Sequence, residues 1–68
     1  MNTSVKEIIG TTLPNAALYE GPSVAYKIIK EFSRRMEVEV MGMNDNRGWL
    51  FVRGEDFAGW IYKNYVEI

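Results

Sequence analysis

Met36-Glu37-Val38-Glu39-Val40-Met41 places Val38 and Val40 on one side of an extended chain and Glu37 and Glu39 on the other. Alternation of this period is that of a half-buried strand, because side chains two residues apart share a face. A polar loop, Gly42 through Gly48 with Asn44-Asp45-Asn46 at its centre, leads into Trp49-Leu50-Phe51-Val52-Arg53. That stretch is rich in aromatic and β-branched residues and reads as the next strand, with Leu50 and Trp49 on opposite faces. Gly54-Glu55-Asp56 then makes a tight turn, and Phe57 to Tyr62 returns as the hairpin partner.

Outward from these three strands the pattern continues in short pieces. Lys63-Asn64-Tyr65-Val66-Glu67-Ile68 reads as a turn and a last short strand. On the amino-terminal side, Asn15 to Tyr19 is a short apolar stretch closed by Glu20-Gly21-Pro22-Ser23, a turn signal. Residues 1–12 are the least patterned and read as an N-terminal extension or, through Gly10-Thr11-Thr12, a strand entering the sheet; the domain proper spans 13–68. Between Ser23 and Arg35 the residues themselves leave two readings open. Val24, Ile28 and Phe32 fall at helical spacing, Ser23 is a suitable cap, and Lys27 and Glu31 stand four apart. An irregular loop followed by a strand fits equally well over so short a span.

Composition narrows the function classes. A chain of 68 residues has one core, which buries only about 60% of the surface its unfolded form exposes. It has no cysteine and no histidine, so a disulfide scaffold, a Cys/His zinc site and a Cys/His nucleophile are excluded. No metal or cofactor is expected. A formal charge of −1 supplies no global field for nucleic acid. Met1 to Glu7 is polar and unlike a signal peptide, a start that a domain excised from an exported protein would share. No run approaches the roughly 18 apolar residues of a membrane helix, so membrane insertion is not expected and the compartment stays open. Glu37 and Glu39 share a strand face with no tuned partner acid, and the glycines lack the lysine and helix of a phosphate loop; catalysis is not expected.

The ordered set of pieces resembles the bacterial SH3 family. It runs Leu18-Tyr19-Glu20-Gly21-Pro22-Ser23, Lys27-Ile28-Ile29, Phe32, Glu37 to Met41, Gly48-Trp49 with Val52, Gly59-Trp60-Ile61, and Tyr65-Val66. Order and spacing match from about Leu13 to the end. Eukaryotic SH3 features are present too: Ala17-Leu18-Tyr19-Glu20 is similar to that family's Ala-Leu-Tyr-Asp, and Asn64-Tyr65-Val66 to its Asn-Tyr-Val ending. Gly21 stands in place of the second motif tyrosine, Tyr62 in place of the groove proline, and a basic Lys27-to-Arg35 segment in place of the acidic loop. These departures point away from proline-rich ligands. Arg34-Arg35 also fills a turn where the bacterial family usually has glycine.

The resemblance implies an all-β fold, a small SH3-like barrel of five to six short strands. It turns Ser23 to Arg35 into a long loop and a short strand, with Phe32 plugging the core. The expected core is Ala17, Leu18, Ile28, Phe32, Val38, Val40, Leu50, Val52, Ile61 and Val66. It implies that Tyr19, Trp49, Tyr62 and Tyr65 converge on one exposed ligand-binding surface, with Asn64 as a hydrogen-bond donor to the ligand. Trp60, between Gly59 and Ile61, is expected to pack structurally.

Three functions are therefore weighed. The first is a monomeric, non-catalytic module binding a peptide or glycopeptide, by resemblance a cell-wall peptide. The second is an intramolecular or subunit-packing domain whose aromatic patch lies against a neighbouring protein domain. The third and weakest is single-stranded nucleic-acid binding through Lys27, Lys30, Arg34 and Arg35, which Glu20, Glu31, Glu37 and Glu39 balance.

Overall fold

The structure, a computed structural model, describes residues 7–68; the part of the N-terminal extension at 1–6 lies outside the described residues. Seven strands follow in order: β1 (Ile9–Thr12), β2 (Ala16–Tyr19), β3 (Ile28–Phe32), β4 (Glu37–Met43), β5 (Trp49–Arg53), β6 (Ala58–Tyr62) and β7 (Val66–Glu67), with a 3-10 turn at Lys63–Tyr65 before β7. All pairings are antiparallel, in one sheet of order β3-β2-β6-β5-β4-β1-β7. The strand count of five to six expected from sequence is thus too low. Ile9–Thr12 forms a full strand between β4 and β7, and the two-residue β7 exists only because β1 offers it an edge.

The helical spacing at Ser23 to Arg35 does not produce a helix, and no α-helix occurs among the described residues. Pro22 and the turn at 21–26 set the direction of the chain. The Ser23 hydroxyl accepts from the Ala25 N–H at 3.1 Å, and Glu20 N–H donates to the Lys27 carbonyl at 2.9 Å. That closes a loop and delivers residues 28–32 antiparallel to β2. Pairing with β2 satisfies the backbone of β3 while Phe32 is buried, which a solvent-exposed helix of this length could not match.

β3 and β7, at the two ends of the sheet order, are bridged by the segment between β1 and β2. Leu13 N–H donates to the Tyr65 carbonyl at 2.9 Å and Asn15 N–H to the Phe32 carbonyl at 2.7 Å. Asn15 makes this sharp reversal in the left-handed region, φ 71°, which Asn tolerates better than most residues. Two bulges bend the sheet, with Ile29 the extra residue against Leu18/Tyr19 and Met41 the extra residue against Phe51/Val52.

The inner face holds the core: Ala16, Leu18, Phe32, Val38, Leu50, Val52 and Ile61, with Val40, Phe57 and Val66 packed around it. Two expected core residues are not there. Ala17 faces outward because Leu18 faces inward, and neighbours on a strand take opposite faces; Ala16 fills the inner position. Ile28 is exposed, since the bulge at Ile29 sets it opposite Tyr19 on the outer face. Thr12 is the one fully buried polar residue among those described. Its N–H donates to the Met36 carbonyl at 2.8 Å, and its Oγ1 accepts from the Met36 N–H at 3.0 Å.

Candidate functional site

Strand parity builds the outer face of the sheet. With Leu18, Leu50, Val52 and Ile61 inside, Tyr19, Trp49, Phe51, Trp60 and Tyr62 are left on the other side. Register then sets them against each other, Trp49 opposite Tyr62, Phe51 opposite Trp60, and Tyr19 opposite Trp60. Tyr19 and Tyr62 both pack against Trp49, ring centroids 5.4 and 5.5 Å away at interplanar angles of 89° and 63°. Such edge-to-face contacts are favoured by the ring quadrupoles.

Above this floor lies an open groove of about 310 Å³ lined by Asn15, Ala17, Tyr19, Val24, Trp49, Tyr62 and Tyr65. Three loops complete it. The 3-10 turn at Lys63–Tyr65 swings Tyr65 in, anchored by Lys63 N–H donating to the Gly48 carbonyl at 3.0 Å. The turn at 21–26 brings Val24, whose side chain is largely exposed. Behind Trp49, the Asn44 Oδ1 accepts from the backbone N–H of both Gly48 and Trp49, at 3.1 and 3.0 Å. Asn44 therefore fixes where the Trp49 backbone leaves the hairpin.

Four of the residues singled out from sequence, Tyr19, Trp49, Tyr62 and Tyr65, line this one groove. Asn64 is exposed and does not line it. Trp49 differs from expectation in another respect. It is not an exposed ring but one buried to 9% exposure, because Tyr19 and Tyr62 cover its flanks. Trp60 lies outside the core and packs edge-to-face on Phe51 at 5.3 Å. Asn15, Ala17, Val24 and Asn44 were missed. Ala17 was recoverable from parity with Leu18, whereas the others act through loop geometry that carries no periodicity.

The groove-lining side chains among the described residues offer apolar area, phenol hydroxyls and one amide, and none of these carries a formal charge. They can hold a ligand by stacking and hydrogen bonding. Among the described residues no three Asp or Glu side chains gather as a metal cage would require. No helix among them is long and apolar enough to cross a membrane. Two of the four residues of the basic run, Lys30 and Arg35, are held by internal contacts. Lys30 Nζ sits over the Phe32 and Phe57 rings at 5.6 and 5.3 Å from their centroids, and Arg35 pairs with Glu67 at 2.7 Å.

Fold and site together define a small all-β protein with an aromatic groove on the outer face of its sheet. No protein-family model matches the chain, and neither a curated protein nor a solved structure matches it at a significant level.

Proposed function

We propose that this chain is a non-catalytic binding module, an SH3-like barrel of the bacterial kind, which holds a peptide or glycopeptide segment in the aromatic groove. The observation that carries the reading is the convergence of Tyr19, Trp49, Tyr62 and Tyr65 from three separate stretches of chain onto one open hollow. Aromatic rings with a polar tip supply large contact area at small entropic cost, and so dominate peptide-binding surfaces. The bent single sheet with one enclosed core supports the barrel reading. By resemblance the ligand is a cell-wall peptide, and the domain works as a monomer.

The test is a chemical-shift titration with cell-wall stem peptides and, in parallel, a proline-rich peptide. Shifts should appear at Tyr19, Trp49, Tyr62 and Tyr65 with the stem peptides, with little dependence on salt. Tyr62→Ala, at a half-exposed ring, should weaken binding at least tenfold. Shifts confined to the face of Lys27 to Arg35, abolished by salt, would transfer the argument to nucleic acid.

A second reading has its own support. From Val24 the exposed apolar side chains continue through Tyr26, Ile28 and Ile29, more than an isolated domain of this size needs on one stretch. In a packing domain this surface and the groove would lie against a neighbouring domain or subunit. Silence toward every ligand, with the groove filled in a larger assembly, would establish that role.

A further inference from the structure

One glycine has no structural reason to be a glycine. At Gly10, Gly21, Gly54 and Gly59 an added Cβ would strike the side chains of Val66, Tyr26, Phe57 and Leu18. At Gly42 it would meet no described atom within 4 Å, and no glycine among the described residues has a positive φ. Neither a close neighbour nor the left-handed region therefore calls for glycine there. Gly42 lies inside β4, where a missing side chain weakens a strand and marks a place that another group approaches closely.

What Gly42 leaves bare is the flank of an aromatic pair outside the groove. It stands opposite Phe51 in the β4–β5 ladder, and Phe51 stands opposite Trp60 in the β5–β6 ladder, all on the outer face. The two rings are half-buried and 5.3 Å apart at an interplanar angle of 62°. The next row on this face runs Glu39, Arg53, Ala58 in register. Arg53 Nη2 donates to Glu39 Oε1 at 2.7 Å, the one side-chain hydrogen bond either makes among the described residues. The remaining guanidinium N–H donors and the second carboxylate oxygen face water. A shelf results, with an aromatic floor, an open flank and a rim that both donates and accepts.

We infer that this shelf is a carbohydrate site, distinct from the groove, for a pyranose ring with equatorial hydroxyls. The C–H face of the sugar lies on Phe51 and Trp60 over the bare backbone of Gly42, and buries apolar area there. Its neighbouring hydroxyls accept from Arg53 and donate to Glu39, which suits a hydroxyl because it does both at once. Other occupants fit less well. The ion pair is already neutral, so it favours neither a cation nor an anion. An apolar side chain would cover the unused donors and acceptor of Arg53 and Glu39 without pairing them.

The test is a chemical-shift titration of the whole chain with cellotetraose and, in parallel, with sorbitol, which has the hydroxyls without the ring. The chain has two tryptophans, so the indole N–H of Trp60 reports the shelf and that of Trp49 the groove. Cellotetraose should shift Trp60 and the Gly42 amide to saturation, and sorbitol should shift neither. Gly42→Val places a β-branched residue in open space on a strand, so it keeps the fold and a thermal midpoint at or above wild type. It should nevertheless abolish the Trp60 shift by filling the flank. Arg53→Leu should weaken binding about fivefold, and Tyr62→Ala, in the groove, should leave it unchanged. No shift at Trp60 with cellotetraose, or an equal response to sorbitol, would overturn the proposal. Undiminished binding by a folded Gly42→Val would overturn the placement over Gly42. Shifts at Trp49 alone would move the sugar to the groove and end the shelf. Peptide titrations read at Trp49 decide the groove separately, so either reading fails without the other.

Discussion

Trp49 serves two ends at once. Its backbone N–H is held by Asn44, its ring is clasped by Tyr19 and Tyr62, and one edge of that ring forms the groove floor. A ring at 9% exposure contributes to folding much as a core residue does. Trp49→Ala should therefore cost about 3–5 kcal/mol and Leu50→Ala about 2–5 kcal/mol, the two overlapping despite opposite parity. Urea denaturation of both variants checks this. A Trp49→Ala cost under about 1 kcal/mol would mean that the ring is free to leave its slot. Tyr62→Ala is the cleaner probe of binding for this reason, since Tyr62 is half exposed and touches the groove without filling the interior.

At the scale of elements, the sheet depends on a corner that lacks apolar character. β1 joins β4 through Gly10 opposite Val38 and Thr11 opposite Glu37, and Thr12 locks the end of that ladder to Met36. Thr12→Val keeps the shape and removes the hydroxyl. The Met36 N–H then loses its acceptor in a partly buried place, so about 1–3 kcal/mol should be lost. Hydrogen exchange at Met36 should accelerate with it, while exchange at Val52 should follow only the global loss. Exchange at Met36 unchanged from wild type would show that water replaces the hydroxyl at no cost. β3 presents the opposite case, an edge strand with apolar Ile28 and Ile29 exposed, interrupted by a bulge. Bulged edges resist adding a further strand, which fits the monomer of the proposed function.

For the whole molecule, stability comes from one small apolar cluster and its aromatic flank. The two ion pairs among the described residues, Arg35–Glu67 and Arg53–Glu39, are both 2.7 Å long, and three of their four side chains are more than half exposed. Exposed pairs contribute about 0–1 kcal/mol each and are screened by salt. Calorimetry at about 0.05 M and 0.5 M sodium chloride should thus show thermal midpoints within about 8 °C of each other, the shift that roughly 1 kcal/mol produces in a domain this small. Added zinc or chelator should leave the midpoint where it is. A rise with stoichiometric zinc would reveal a carboxylate site among Glu and Asp residues that stand apart in this structure.

What the amino-acid order determined by itself is the local part of the fold: β4, β5 and β6, the turn at Gly54, and the inward faces of Val38, Leu50, Val52 and Ile61. Each follows from period-two alternation or from turn chemistry within a few residues, and both act before any distant partner is present. The convergence of Tyr19, Trp49, Tyr62 and Tyr65 was legible only through the resemblance, since their spacing alone names no common surface. Tertiary structure decided the rest. Whether residues 28–32 became strand or helix depended on β2 being available to pair. Ile28 faces outward because one bulge inserts a residue, and a shift of one residue exchanges the faces of a strand. Trp49 is buried because Tyr62, opposite it on β6, and Tyr19, from β2, pack against it. Glu31 stands opposite Ala17 of the groove because β3 lies beside β2, a neighbour fixed by pairing across the loop and by no pattern within either strand.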